Sequence, residues 1–524
     1  MKGREKSDGR IVPEGRRKAV QTGGSRGGKA TTVNQQAVQL DLYSGTAESP
    51  KGDDVGVALG EPRAKPNAVP KPLRRGKGGL PAMTIEEVAR GESLRKAFKQ
   101  VAANRGAPGP DRQTVKQVRE HWSEIEPRLQ TGLLGGEYEP GNIRRVWIDK
   151  PGGGQRGLGI PDVIDRVVQQ AVSQIMSPHY EPTFHESSHG FRAGRSCPTA
   201  IAEAKEYVEE GSEWVVDMDL EKFFDQVCQD RLMSRLELKV KDLKLLGLIR
   251  RLLRAKVVLP DGVLIETKRG VPQGGPLSPL LSNIVLDELD WELDRRGHQF
   301  VRYADDCNIY VRSERAGQRV MASITRYISK RLRLKVNASK SAVGRPQDRH
   351  FLGFRLRRNL EDGTVDVLLS KRSRERIASQ IRDLTPRKWG QSLRACIRRL
   401  NGYLLGWAGF FQICSQEELR KLRALDAHIR RRLRALQLKQ WRRNRTRTKR
   451  LLQLGVPRRH AWKTVYGGSH RLWAMSCTYG VHRGMPTAYF ADRGLVSLAV
   501  WFSQHNGWNV SVPGAVIQLR LPLG

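Results

Sequence analysis

The sequence holds little of what a membrane or exported protein needs. Its 524 residues contain no run of about 18 apolar residues, the length that crosses a hydrocarbon core. No charged-then-apolar leader opens it, so neither insertion nor secretion is expected. Cysteine is sparse and scattered: Cys197, Cys228, Cys307, Cys396, Cys414 and Cys477 form no close pair. That excludes a Cys-x-x-Cys zinc knuckle and argues against a disulfide framework, leaving reduced cytoplasmic thiols as the expectation. Acid is also short, with 54 Asp+Glu against 93 Lys+Arg and a formal charge of +39. A compact body with that surplus repels itself unless a polyanion screens it. Nucleic acid is therefore the leading partner, ahead of a membrane surface.

The acids that are present fall in informative places. Phe300 to Arg312 reads FVRYADDCNIYVR, and apolar residues on both sides predict strands over Gln299 to Tyr303 and Asn308 to Arg312, joined by a tight turn. Asp305 and Asp306 lie in that turn. Two like charges between buried strands cost stability unless a cation neutralises them, and carboxylate oxygens suit Mg²⁺ better than zinc. A third carboxylate follows the apolar strand Trp214 to Met218 in WVVDMDLEKFFDQV, at Asp219. Asp219 beside Asp305 outlines a two-metal site. An isolated Asp-Asp pair is more often ordinary solvated turn chemistry, so the surrounding stretches decide.

Residues 1 to 80 hold one aromatic, Tyr43, with 14 Gly and 6 Pro. So few anchors cannot offset backbone entropy, and a disordered basic extension is expected. Order begins near Met83, with Thr84 as N-cap and Glu87 three residues on. The helix ends before the turn-rich loop Asn104 to Gly109, and a second helix is expected over Thr114 to Leu129. Ile143 to Ile148 reads as a strand, followed by a glycine-rich loop between Lys150 and Arg156. Those two cations suit phosphate oxygens, although an ordinary exposed turn fits equally well. A buried helix follows Pro161. In Gly190 to Ser196, Arg192 and Arg195 stand among glycines, as in a loop that grips a nucleic-acid backbone. Asp230 to Leu253 reads as helical, and Arg269 to Pro279 as a loop in which Gly274 permits close approach and Gln273 offers a donor and an acceptor. A helix then runs to about Arg296.

Ala316 to Arg331 is expected to be helical, and Phe351 to Phe354 a short apolar turn or strand. Composition then shifts, with 24 Lys+Arg against 5 Asp+Glu over residues 371 to 450. Leucines and tryptophans interleave with the arginines, which predicts helices with one apolar and one basic face. Surface solvation alone leaves Arg430-Arg431-Arg432 and the cluster of Arg442, Arg443 and Arg445 unexplained. From Gly455 to about Leu498, aromatic residues mixed with His and Arg suggest a small module. Beyond Trp501 no signal is clear.

Taken in order, Arg144 to Gln170, Gly190 to Ser196, Val215 to Val227, Arg269 to Leu289, Arg302 to Asp306 and Phe351 to Phe354 resemble the reverse transcriptases encoded within bacterial group II introns. Leu400 to Phe411 and Gln440 to Lys449 resemble that family's thumb and maturase region. The resemblance covers about residues 84 to 498. It implies an α+β right-hand polymerase of fingers, palm and thumb. The implied organisation is an extension over 1–80, N-terminal helices over 81–140, fingers and palm over 141–370, a basic helical thumb and maturase region over 371–454, a nucleic-acid-binding module over 455–498 and a tail over 499–524.

By the same resemblance, Asp219, Asp305 and Asp306 hold two Mg²⁺ ions. Lys150 and Arg156 grip the incoming deoxynucleoside triphosphate, and Phe224 excludes a ribose 2′-hydroxyl. Gln273 and Gly274 line the nucleotide and template pocket, and Lys340 is a general acid near the pyrophosphate. Arg192, Arg195, Arg442, Arg443 and Arg445 face nucleic acid. The implied partners are group II intron RNA, a DNA primer and target DNA, in the cytoplasm and on the nucleoid. Many relatives end in an HNH nuclease, yet only Cys477 lies beyond Cys414 here, so no such domain is expected. Two alternatives are a related bacterial reverse transcriptase of a defence or diversity-generating system and a splicing-only maturase with a decayed polymerase. The intact carboxylates argue against decay.

Overall fold

A computed structural model describes residues 80–149, 154–386, 390–468 and 471–508. The extension expected over 1–80 lies outside the described residues apart from Leu80, and so does Lys150. Among the described residues ten strands form three sheets. β1 (Ile143–Asp149) and β2 (Gln155–Ile160) pair antiparallel. β4 (Val257–Val258) runs parallel to β1 and carries β5 (Leu264–Ile265), giving the order β2-β1-β4-β5. The central sheet has the order β6-β7-β3-β8, from β3 (Trp214–Met218), β6 (Gln299–Tyr303), β7 (Asp306–Val311) and β8 (Ala342–Gly344). β9 (Phe354–Arg358) and β10 (Val365–Leu369) form a separate antiparallel pair.

Both faces of the central sheet are covered, because alternate residues of its strands serve different cores. Val216, Met218, Phe300 and Ile309 join the helices Gly91–Ala103, Val163–Tyr180, Leu243–Arg254 and Ser278–Arg295. Val215, Val301, Tyr303 and Tyr310 face the helix Cys197–Glu209, the β9-β10 pair and everything after it. This two-sided burial explains the near-continuous apolar runs seen in the sequence.

Capping groups set several boundaries. Thr84 Oγ1 accepts from Glu87 N at 3.5 Å, as its position suggests. Asp242 accepts from Lys244 N and Leu245 N at the start of its own helix, and its other oxygen accepts from Ile85 N at 2.5 Å. One carboxylate thereby fixes a helix and ties the N-terminal helices to the body.

Several expectations are corrected. The helix expected over Thr114 to Leu129 is two, Val115–Glu120 and Trp122–Gly135, broken at His121. Asp230 to Leu253 likewise divides into Gln229–Glu237 and Leu243–Arg254, where Asp242 caps the second. The second strand of the acidic hairpin begins at Asp306, because Tyr303 pairs directly with it.

The C-terminal module does not stop near Leu498. A helix spans Leu498–His505, with Phe502 fully buried and its ring centroid 6.2 Å from that of Trp407. Asp426, on the long helix Leu419–Gln440, caps this last helix by accepting from Leu498 N at 2.9 Å and Ala499 N at 3.1 Å. One continuous core therefore joins the basic helices after residue 371 to the residues beyond Gly455. Among the described residues no helix is long and apolar enough to cross a membrane.

Candidate active site and nucleic-acid surfaces

The Tyr303–Asp306 pair leaves Ala304 and Asp305 as a two-residue turn, with Ala304 in the left-handed region at a φ of 57°. A residue with a side chain adopts that conformation only if its surroundings hold it there. Arg302 supplies the hold: its Nη1 donates to Ala304 O at 2.8 Å and to Asn283 Oδ1 at 3.1 Å. Its Nε and Nη2 donate to the two oxygens of Asp290, and Nη2 also reaches Ser188 Oγ at 2.7 Å. Gly190 packs its backbone on the same turn, where a Cβ would come within 2.2 Å of Ala304 N. His189 lies alongside with both ring nitrogens occupied, by Thr199 Oγ1 at 2.9 Å and Glu203 Oε2 at 2.6 Å. It is a structural histidine.

The β3–β7 register pairs Met218 with Cys307, so Asp219, one residue on, falls opposite Asp306. Asp219 is pinned through its backbone, its N donating to Ser341 Oγ at 2.9 Å and its carbonyl accepting from Asn337 N at 2.8 Å. Lys340, in the same loop, places its ammonium 3.0 Å from Asp219 Oδ2. Burial raises Asp305 above the usual carboxylate range and Asp219 adds to the rise, while Arg156 and Lys340 oppose it. Asp306 is pushed up to about 8, first by burial and then by Asp305, Asp217 and Asp219. These effects place the three carboxylates within mutual electrostatic reach and leave their charge only partly offset.

An all-oxygen donor set in which burial and mutual repulsion raise Asp305 and Asp306 suits a hard divalent cation. Among the described residues no three His, Cys, Asp or Glu side chains converge as a formed metal cage. The match is therefore in donor chemistry and charge.

Sequence reasoning missed Arg349 and Asp217. Arg349 donates to Asp217 Oδ2 from Nε at 3.0 Å and Nη2 at 2.5 Å, and from Nη2 to Lys340 O at 2.8 Å. Asp217 could have been noticed, since it precedes Asp219 by two and shares its face of the strand. Nothing in the spacing points to Arg349.

The remaining pocket candidates meet through one loop. Phe224 lies in the short helix Phe223–Gln226, partly exposed and edge-on to buried Phe223 at 5.2 Å. Its carbonyl accepts from Val271 N at 2.7 Å, and two residues on Gln273 O accepts from Gly159 N at 2.7 Å. Gly274 has a φ of 115°, and a Cβ there would come within 2.3 Å of Gly159 O. Gln273 and Gly274 are thus joined to β2, the strand that carries Arg156, and Arg156 in turn is close enough to Asp305 to oppose its protonation.

The basic residues divide into two groups. Arg192 was expected to grip nucleic acid; instead its side chain is buried, donating to Glu181 Oε1 at 2.8 Å and to the carbonyls of His185 and Ser188. Arg195 likewise donates to Glu186 O. Both clamp their own loop, because a glycine-rich segment between buried elements needs donors for its carbonyls. Arg431 and Arg432 are also structural. Arg431 lies 4.0 Å over the Trp473 ring, and Arg432 donates to Thr385 Oγ1 and Thr385 O. Arg442, Arg443 and Arg445 are exposed, as a nucleic-acid surface requires.

A half-buried acidic hairpin on an antiparallel sheet, with Asp305 in its turn and Asp306 opening the next strand, a third carboxylate just past the neighbouring strand and cations set against them, defines a polymerase palm. Residues 148–356 match the family described as reverse transcriptase (RNA-dependent DNA polymerase), and residues 374–455 match the group II intron maturase-specific domain. Protein YkfC of Escherichia coli is 31% identical over 375 residues, which cover 62% of this chain and 95% of that protein. The group II intron-encoded protein LtrA of Lactococcus lactis is 37% identical over 196 residues, covering 37% of this chain and 32% of that one. The putative COX1/OXI3 intron 1 protein of Saccharomyces cerevisiae is 30% identical over 251 residues, covering 47% and 29%. The chain thus spans nearly all of the first relative it matches and about a third of the other two. It belongs to the family of group II intron reverse transcriptases and maturases.

Proposed function

We propose that this chain extends a DNA primer on intron RNA in a magnesium-dependent reaction, and that it binds the same RNA to promote splicing and mobility. The observation that carries the reading is the grouping of Asp219, Asp305 and Asp306 with Lys340 and Arg156 at the end of the central sheet. Two magnesium ions on these carboxylates would supply positive charge to the primer 3′-hydroxyl and the triphosphate.

The chain's own groups do the rest. Arg156, with Lys150, binds triphosphate oxygens in the planar-fork and point-charge modes that suit phosphate. Lys340 holds a proton beside Asp219, where the leaving pyrophosphate can take it. The half-exposed Phe224 ring closes the sugar pocket against a 2′-hydroxyl, and the Gln273-Gly274 loop brings backbone to the nascent base pair. Arg442, Arg443 and Arg445 supply charge toward intron RNA phosphates.

The test is incorporation of deoxynucleotides on an RNA template with a DNA primer, titrated with Mg²⁺, for the native chain and Asp305→Ala. Activity in the native chain and its loss in Asp305→Ala is the expected result. A folded native chain without Mg²⁺-dependent incorporation overturns the polymerase reading.

A further inference from the structure

Asp219 Oδ2 is closed to solvent and accepts no hydrogen bond among the described residues. What it has instead is charge, the Lys340 ammonium 3.0 Å away. A carboxylate oxygen sealed from water and matched by charge alone can change one cation for another, because no directional hydrogen bond has to be broken first. The same ammonium acts beyond Asp219, since its charge opposes the rise of both Asp305 and Asp306. One lysine is therefore counter-ion to all three carboxylates.

That lysine has a fixed base and a free arm. Its N donates to Asn337 O at 3.2 Å, and its carbonyl accepts from Arg349 Nη2 at 2.8 Å. The next residue, Ser341, accepts from Asp219 N through Oγ at 2.9 Å, and Asn337 N donates to Asp219 O at 2.8 Å. The backbones of Lys340 and Asp219 are thus fastened to each other. The Lys340 side chain, by contrast, is 62% exposed, and its flexible stem can swing without disturbing a core.

Electrostatics decides what moves it. A divalent cation on Asp219 Oδ2 and an ammonium in contact with the same oxygen are like charges at short range, where the buried setting screens them poorly. Both cannot stay. The divalent cation has the greater charge and a claim on Asp305 and Asp306 as well, whereas Lys340 has solvent at its side to receive it.

We propose that Lys340 is the exchangeable counter-ion of the carboxylate site: it neutralises Asp219 in the free chain, gives up Asp219 Oδ2 when a divalent cation enters, and is thereby released to meet phosphate oxygens. This rests on the reading that these carboxylates hold magnesium. A proton on Lys340 then becomes available to pyrophosphate only after the metal is loaded, because until that point the ammonium is committed to Asp219.

The test follows Mn²⁺ binding to the full chain, without nucleic acid, through loss of the free-ion paramagnetic resonance signal. Lys340→Met keeps the length of the stem and removes the competing charge, so it should bind Mn²⁺ about two- to fivefold more tightly, the range that an exposed ion pair sets. Lys340→Arg keeps a cation and should bind no more tightly than the native chain. Arg156→Gln removes a different charge that opposes the rise of Asp305, and it should tighten binding less than Lys340→Met. Acetylation of the native chain by a succinimidyl ester, mapped by peptide mass, reads the arm directly. Mg²⁺ should quicken modification of Lys340 by about two- to fivefold as the ion pair opens, with exposed Lys335 as the unchanged reference.

Unchanged or weaker Mn²⁺ binding in Lys340→Met overturns the exchange. Equal tightening in Arg156→Gln does so too, since it would reduce the effect to the general field of the site. A native chain that binds Mn²⁺ no better than Asp305→Ala overturns the magnesium reading and the exchange together. A native chain that binds the ion and extends primers, while Lys340 acetylation ignores Mg²⁺, loses only the exchange.

Discussion

Arg302 and Asp290 form a fully buried ion pair, with Nε and Nη2 of the arginine 2.6 and 2.5 Å from the two carboxylate oxygens, and the same guanidinium supports Ala304 O in the turn that carries Asp305. On the proposed reading, stability and catalysis therefore meet in one side chain. Arg302→Met should cost about 3 to 5 kcal/mol, because it strands a buried charge. Arg302→Met/Asp290→Leu removes both charges and should recover much of that loss in urea unfolding. Primer extension should stay low in the double variant, since Ala304 O still lacks its donor. Full recovery of activity together with stability would show that the turn needs no such support.

Arg349 reaches the site through two others, Asp217 and the backbone of Lys340. It is a positioning residue: its loss frees the loop that sets the Lys340 ammonium 3.0 Å from Asp219. Arg349→Gln should lower kcat for nucleotide addition by about tenfold, in line with small misplacements at an active site, and leave KM for primer–template unchanged. Lys340→Ala should lower kcat too, and the double variant should be no worse than the lysine variant alone. Additive losses would place Arg349 on a separate route.

Asp287 gives a pH prediction away from the carboxylate triad. Burial, followed by Asp290, raises it from 3.8 to about 6; Arg235 opposes the rise from 3.6 Å, and Asp287 Oδ1 has no hydrogen-bond partner among the described residues. The folded chain thus holds this proton more firmly than the unfolded chain. Its contribution to stability is full below about pH 3.8 and is lost as pH rises through about 6. Asp287→Asn should be more stable than the native chain at pH 8 by about 1 kcal/mol, after allowance for solvent screening. The gap should close below about pH 4. Urea midpoints for the pair across that range check it, and a gap independent of pH would exclude titration of Asp287 as its source.

The acidic hairpin was legible because both its strands are apolar on two faces and its turn carries the only adjacent carboxylates within them. Asp219 was legible for the same reason, at the end of an apolar strand. What sequence could not convey was how polar groups are shared out once the chain folds. Arg192 and Arg442 look alike as basic residues near glycine or tryptophan, yet one serves the carbonyls of its own loop and the other is exposed. The helix Leu498–His505 was missed because its order is tertiary. It is short, and Asp426 and Trp407, far away in sequence, cap and cover it.

The division among the arginines leads to the last prediction. Arg431 and Arg432 are engaged with Trp473 and Thr385, so replacing them should lower stability before it alters RNA binding. Arg442, Arg443 and Arg445 stand exposed at the start of the helix Asn444–Gln453, and their charge adds to a surface already rich in cations. Their replacement by glutamine should leave the unfolding midpoint within about 0.5 kcal/mol of native, as for surface positions generally. If each arginine meets one phosphate of structured intron RNA, the slope of log affinity against log salt should become shallower by roughly 2 to 3. Affinity at low salt should fall several-fold for specific and unrelated RNAs alike, because phosphate contacts carry no sequence information. A slope that stays native in the triple variant would move the maturase surface elsewhere on the chain. A loss confined to the cognate intron would instead mean that these arginines read a particular RNA shape.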